Sequence, residues 1–282
     1  MTLARTRDLV DAAVRGGTAV AAFNVITLEH AEAIVAGGEQ AGAPLLLQLS
    51  ENAVRFHGAR MLPILAACRE LAAAAAVPVA VHLDHFQDDD LTATGIRVAD
   101  SMGVSSLMVD AAHLPYARNV EHTAELAASA HGAGLWVEAE LGEIGGKDGA
   151  HAPGVRTDPI EAAGFVASTG VDGLAVAVGS SHAMTSQVAT LDLDLIARLA
   201  DEVPVPLVLH GSSGVPDELL RRAVAAGMRK VNVGTALNVA FTAAVRRYLD
   251  GDATATDPRR YLAGARAAAT EVVARLCTVV SG

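Results

Sequence analysis

The sequence predicts an α/β protein, a (β/α)8 TIM barrel with an extra C-terminal helix, in a single domain over residues 1–282. Three observations predict it. Eight short apolar runs recur along the chain. They are nearly continuous rather than alternating, as parallel strands buried on both faces are. Longer stretches with helical spacing separate them, which is the order of a closed βα barrel. A doubly wound open sheet is the rival, but it would leave surplus strands and no second domain to hold them.

The strands are expected in "TAVAAFNV" from Thr18, "PLLLQLS" from Pro44, "PVAVHLDH" from Pro78 and "SSLMVDAA" from Ser105. The second half continues with "GLWVEAEL" from Gly134, "GLAVAVGSS" from Gly173, "PLVLHGSSG" from Pro206 and "KVNVGT" from Lys230. After the first run, Leu28, Ala31, Ile34 and Val35 follow Thr27, a residue type suited to an N-cap. After the seventh, Leu219, Leu220, Ala223 and Val224 follow Pro216 and Asp217. The extra helix is expected from Asp257 to about Leu276. "GEIGGKDGAHAPGVRTDP", after the fifth run, exceeds the roughly 2–6 residues usual for such loops and suits an active-site lid.

Composition excludes several function classes. The chain is 51% hydrophobic and 19% charged, enough for a large core. A net charge of -11 argues against nucleic acid as a partner, and 3% aromatics leave little for base stacking. No uninterrupted apolar run reaches the roughly 18 residues of a membrane span. The N-terminal segment lacks a signal peptide's apolar core. Two cysteines, Cys68 and Cys277, are too few for a disulfide framework, so both are expected in the core and the compartment is expected to be the cytoplasm.

Active sites of this fold lie at the C-terminal strand ends. Polar residues collect there: Asn24, Gln48 with Ser50, Asp84 and His85, Asp110, Glu138 and Glu140, His182, His210 and Asn232. Charged groups are costly to bury unless they are paired or bind a metal, so "HLDH" is an odd way to end a strand. Three neutral imidazoles, His85, His182 and His210, would suit a catalytic zinc site if the barrel closes. Taken singly, each histidine reads better as a hydrogen-bonded core or surface side chain, the reading given to His30, His57, His122 and His131. The turns "HGSSGV" and "NVGT" can make a backbone anion nest or can simply be tight turns that need glycine.

Together the blocks "HLDH", "VEAELGEIGG", "LAVAVGSSH", "PLVLHGSSGV" and "KVNVGT" resemble the class II, zinc-dependent ketose-bisphosphate aldolases of the fructose- and tagatose-bisphosphate type. The likeness runs from "AFNV" to "DPRRYL". It implies zinc ligands at His85, His182 and His210, and a catalytic acid/base at Asp84. It implies a carboxylate for a second divalent or a monovalent cation at Glu140, and a lid proton-transfer residue at Asp148. Substrate and phosphate contacts fall on Asn24, Ala183, Gly211, Ser213, Asn232, Gly234 and Thr235.

The implied reaction is retro-aldol cleavage of a phosphorylated sugar, fructose 1,6-bisphosphate first, to dihydroxyacetone phosphate and an aldehyde. Tagatose 1,6-bisphosphate and ketose 1-phosphates are the alternatives. A metal-dependent sugar-phosphate isomerase or epimerase on the same barrel is a reading from another reaction class. The resemblance also implies a homodimer or homotetramer, and some relatives work with an accessory barrel subunit. Four positions depart from the family pattern. Ala183 stands where glycine is common, and Asp148 where the lid carries glutamate. Ala236 and Asn238 stand where an acidic and a basic residue are common. Asn238 cannot supply the charge that greets a distal phosphate; Arg55, Lys147 and Arg266 are the candidates to replace it.

Overall fold

A computed structural model describes residues 3–141, 156–181, 185 and 189–282. All eight expected strands form, and each pairs in parallel with the next: β1 (Val20–Asn24), β2 (Leu45–Ser50), β3 (Val79–Phe86), β4 (Val104–Val109), β5 (Trp136–Glu140), β6 (Gly173–Ala175), β7 (Leu207–Leu209) and β8 (Met228–Val233). Pairing of β1 with β8, Ala21 opposite Val231, closes the barrel. The open-sheet alternative is thereby excluded.

Helices alternate with the strands: α1 (Thr6–Gly16), α2 (Leu28–Ala41), α3 (Glu51–Phe56), α4 (Leu62–Ala74), α5 (Asp89–Met102), α6 (Tyr116–Gly132), α7 (Pro159–Thr169), α8 (Leu193–Glu202), α9 (Asp217–Ala226), α10 (Thr235–Gly251) and α11 (Pro258–Ser281). Many begin where a short acidic side chain accepts the free N–H groups of the first turn: Asp88 for α5, Asp158 for α7, Asp192 for α8 and Asp257 for α11. Thr27 does occupy the N-cap position of α2, but its hydroxyl makes no cap bond and instead meets His30 Nδ1 at 3.1 Å. The expected C-terminal helix exists and runs past Leu276 to Ser281, since Val279 and Val280 are still buried.

Two apolar layers result from the period of two along each strand. Outward residues such as Phe23, Leu47, Val81, Leu83 and Val137 pack beneath the helices. Inward residues Val20, Ala22, Leu46, Ala80, Met108, Trp136 and Val208 fill the barrel floor together with Leu9 and Val10 of α1. That helix, not among the elements expected from the sequence, closes the N-terminal end. Thr6 fastens it to β4, its Oγ1 lying 2.6 Å from Ser106 Oγ. On the outside α11 lies so close to α2 that a Cβ at Gly37 would sit 2.5 Å from Val273 Cβ. Cys68 and Cys277 are buried and free, as expected.

Candidate active site

Above the apolar floor the barrel interior turns polar. On β5 the inward parity of Trp136 continues to Glu138 and Glu140, and on β8 Lys230, opposite inward Val208, shares its parity with Asn232, after a register shift that leaves Met228 in the outer layer. Gln48, His82, Asp84 and His210 join them, all buried. Four buried carboxylates, Asp84, Asp110, Glu138 and Glu140, face one buried ammonium, Lys230, so the mouth carries an excess of negative charge.

The ending of β3 is now explained. Adjacent strand residues point to opposite faces, so Asp84 and His85 could not both face inward on a regular strand. Between the pairs Leu83–Leu107 and Phe86–Val109, β3 advances by three residues and β4 by two. The extra residue makes a bulge, and His85 takes a left-handed φ of 53°. Such a conformation costs a non-glycine residue about 1–3 kcal/mol, and strain of this kind concentrates at functional sites. Its consequence here is that both side chains reach the same cluster. Glu51 at the start of α3 holds the turn that follows, accepting the N–H groups of Gln87 and Asp88 at 2.7 and 2.8 Å.

His85 and His210 meet edge to face, with ring centroids 4.8 Å apart. His85 Nδ1 lies 2.8 Å from Asp110 Oδ2, and His210 Nε2 lies 2.8 Å from Glu138 Oε1. An ionised carboxylate only accepts, so each of those nitrogens carries the ring proton. With both rings neutral, the form a metal ligand takes, the remaining nitrogens, His85 Nε2 and His210 Nδ1, present lone pairs to one another at 3.0 Å. Two lone pairs cannot bond to each other, but a cation between them satisfies both. Two zinc–nitrogen bonds of tetrahedral geometry set their nitrogens about 3.3–3.4 Å apart, close to this spacing. Glu140, which the resemblance gave to a second cation, lies in the same place and completes one group with His85 and His210 whose ligand atoms all lie within 4.8 Å of one another. These donors therefore fit a divalent ion with mixed imidazole and carboxylate ligation. Burial lowers the His210 pKa, which keeps the ring in the neutral form a ligand needs.

Asp84 lies beside this group. Asn24 Nδ2 donates to its Oδ2 at 2.8 Å, while Oδ1 is buried with no hydrogen bond. Burial alone would raise its pKa, but His85, His210, His82 and Lys230 outweigh this and bring it down to about 2. The group is a carboxylate at neutral pH with one oxygen ready to accept a proton. His82 is different. Burial and Lys230 push it down to about 3, its Nδ1 lies 2.8 Å from Ser106 Oγ, and it serves as a neutral core side chain.

The β7 and β8 turns lie together, as expected. Gly211 has a φ of 64°, and a Cβ there would meet the Ser181 backbone at 2.5 Å, so the turn requires glycine. Ser213 Oγ accepts the N–H of Ala236 at 3.0 Å, fixing the β7 turn to the first turn of α10. Gly234 and Thr235 begin that helix beside Asn24: a Cβ on Gly234 would stand 3.1 Å from Asn24 Oδ1. Thus Asn24, Gly211, Ser213, Asn232, Gly234 and Thr235 share the mouth with the histidine–carboxylate group. His182, Ala183 and Asp148 lie outside the described residues, so the third histidine and the lid carboxylate have no described position here.

The histidines expected to be hydrogen-bonded core or surface side chains behave as expected. His30 stacks on Phe241, His57 Nε2 lies 2.7 Å from the Ile26 carbonyl oxygen, and His122 and His131 pair with Asp89 and Asp172. The sequence reading gave no role to Asp110, Glu138 or Lys230. The inward parity of Glu138 and Lys230 was the available signal.

The site defines a class: a (β/α)8 enzyme with a metal-type histidine and carboxylate group at the C-terminal mouth of its barrel. Residues 4–282 match the family model for class II fructose-bisphosphate aldolase. The chain belongs to that family and is an aldolase, a carbon–carbon lyase. The YdjI aldolase from Escherichia coli K12 is 31% identical, over 98% of this chain and 97% of that one, with a TM-score of 0.83. A Coccidioides immitis protein provisionally described as a fructose-1,6-bisphosphate aldolase is 29% identical over 99% and 97% of the two chains, with a TM-score of 0.85. Fructose-bisphosphate aldolase from Campylobacter jejuni shares the fold, with a TM-score of 0.81 and 20% identity over 98% and 95%. Among the described residues, no helix is long and apolar enough to cross a membrane.

Proposed function

We propose that this chain is a zinc-dependent aldolase that cleaves a phosphorylated ketose between C3 and C4, releasing dihydroxyacetone phosphate and an aldehyde. The observation that carries the reading is the pair of facing lone pairs on His85 and His210, 3.0 Å apart, next to the buried carboxylate of Asp84. His85, His210 and Glu140, with His182, would hold the metal. Zinc there supplies a Lewis acid for the charge that grows on the three-carbon fragment when the bond breaks.

Asp84 accepts the proton of the C4 hydroxyl as the C4–O bond becomes a carbonyl. The electrons of the C3–C4 bond pass to the three-carbon fragment, and C3 is then protonated, the task assigned to Asp148. Asn24 holds Asp84 in place through its Oδ2, which leaves Oδ1 for the proton. The phosphate rests on the N–H groups of the Gly211–Ser213 turn, of Ala183, and of Gly234 and Thr235 at the start of α10. Asn232 orients the fragment's oxygens. Fixing the substrate at both its phosphate and its carbonyl is a positioning effect. In this reading residues 1–282 act as one barrel domain, in a cytoplasmic homodimer or homotetramer.

Fructose 1,6-bisphosphate is the first substrate proposed. Ketose 1-phosphates are the second reading, favoured by a specific observation. Two of the cations that could replace the missing basic residue at Asn238 are already engaged: Arg55 pairs with Glu51 and Asp88, and Arg266 with Glu32. Lys147 lies outside the described residues. The test is a coupled assay of zinc-loaded protein on fructose 1,6-bisphosphate, tagatose 1,6-bisphosphate and a panel of ketose 1-phosphates. Triose phosphate formation is expected. Rearranged ketose without cleavage would instead identify an isomerase or epimerase.

A further inference from the structure

We propose that Glu138 and Lys230 are positioning residues that decide which ring nitrogen of His210 is offered to the metal. The inference rests on the metal reading above. Lys230 is fully buried, and its ammonium spends its three protons on Gln48 Oε1 (2.9 Å), Glu138 Oε2 (2.8 Å) and Asn232 Oδ1 (2.7 Å). Glu138, also fully buried, divides its two oxygens between Lys230 and His210 Nε2. Neither partner has a second option: lysine can only donate and a carboxylate can only accept. The polarity of the chain is therefore fixed from Lys230 outward. Lys230 donates to Glu138, Glu138 accepts from Nε2–H, and Nδ1 is left as the lone pair aimed at His85.

Asn232 also approaches Nε2, its amide nitrogen at 3.0 Å. The two contacts are unequal. The charged carboxylate makes the stronger bond, so the ring proton goes to Glu138 and an amide proton of Asn232 stays available to a ligand. Lys230 fixes this orientation as well, because it holds the Asn232 oxygen. Carboxylate partners behind ligating histidines set tautomer and ring orientation, and losing them lowers metal affinity by roughly 10–100-fold. What is particular here is the lysine behind the carboxylate, which makes the effect of one substitution depend on the other.

Glu138→Gln is nearly isosteric, yet Lys230 forces the new amide to turn its oxygen away from His210. The amide N–H group then faces Nε2, the ring proton moves to Nδ1, and the lone pair leaves the metal site. Adding Lys230→Met frees the amide to turn back. The experiment measures Zn²⁺ affinity by chelator competition and the visible spectrum of Co²⁺-loaded full-length protein, with folding checked by circular dichroism. Glu138→Gln should bind Zn²⁺ roughly 10–100-fold more weakly than the unsubstituted protein and shift the Co²⁺ bands. Glu138→Gln/Lys230→Met should regain about tenfold or more, the reverse of what two merely structural losses would do. Long-range ¹H–¹⁵N spectra of the metal-free unsubstituted protein should place the His210 proton on Nε2, and this needs no variant to fold. Unchanged affinity in Glu138→Gln, no recovery in the double variant, or a proton on Nδ1 would overturn the inference. His210→Ala separates the two levels. If it binds Zn²⁺ as tightly as the parent, or the parent binds none, the metal reading falls first and this inference with it.

Discussion

Replacing Lys230 with methionine should be among the most destabilising single changes available in the barrel. Methionine fills the volume of the lysine stem but removes the ammonium, so Glu138 is left as a charge without its cation at a fully buried position. Breaking a buried pair by removing one partner costs about 3–5 kcal/mol. The Gln48 and Asn232 amides also lose their donor, but each can turn an N–H group inward and soften its own loss, so the figure is not raised for them. For a chain of this length roughly 2 °C of melting temperature corresponds to each kcal/mol, which predicts a fall of about 6–10 °C. The measurement is calorimetry in EDTA, so that metal linkage does not enter. The single tryptophan, Trp136, sits buried at the barrel floor and reports the same transition by fluorescence. Lys230→Met/Glu138→Gln removes both charges and should recover at least half of the loss. A melting point for Lys230→Met within about 2 °C of the parent would refute the reasoning. So would a double variant as unstable as the sum of its singles.

Asp84→Asn should keep the metal and lower kcat by about 10²–10⁴-fold, the usual contribution of a positioned proton-transfer group; metal analysis alongside turnover checks it, and full turnover would remove Asp84 from the mechanism. The thiols of Cys68 and Cys277, pushed up to about 12 by burial, should resist a disulfide reagent at pH 8 in the native protein and react only after denaturation. Asp172 ties α1 and α6 to the barrel, accepting from Arg7, His131 and the Val137 N–H. Burial would raise its carboxyl, but those three donors outweigh it and hold it below the usual carboxylate range. Its contribution is therefore full above the unfolded value near pH 4 and is lost as pH falls through the lower folded value. The melting-point gap between the parent and Asp172→Asn should accordingly be open at pH 7 and narrow below about pH 4; a gap that widens in acid would contradict this assignment.

Much of the molecule was legible from residue order because strand parity is a local property. The apolar run that ends in Asn24 and the one that contains Glu138 and Glu140 announce both a buried strand and a polar mouth. The inward direction of Lys230 follows from the same period. His85 did not follow from it: a regular strand places it opposite Asp84, and only the bulge against β4 turns it inward. Thr27 shows the converse, since the residue type marked the helix start correctly while its hydroxyl went to His30. Ser213 was read as a ligand contact, and the structure shows its hydroxyl also serving α10.

By itself the sequence determined the barrel, the rim on which its polar residues gather, and the family to which the chain belongs. Only the tertiary structure decided how those residues act on one another. The proton on His210 is settled by Glu138, 72 residues earlier, and Glu138 by Lys230, 92 residues later than Glu138. Closing the barrel brings those groups within about 3 Å and buries them from solvent, where every donor must find an acceptor. Polarity there is set by partners from distant strands, which no local pattern of residues encodes.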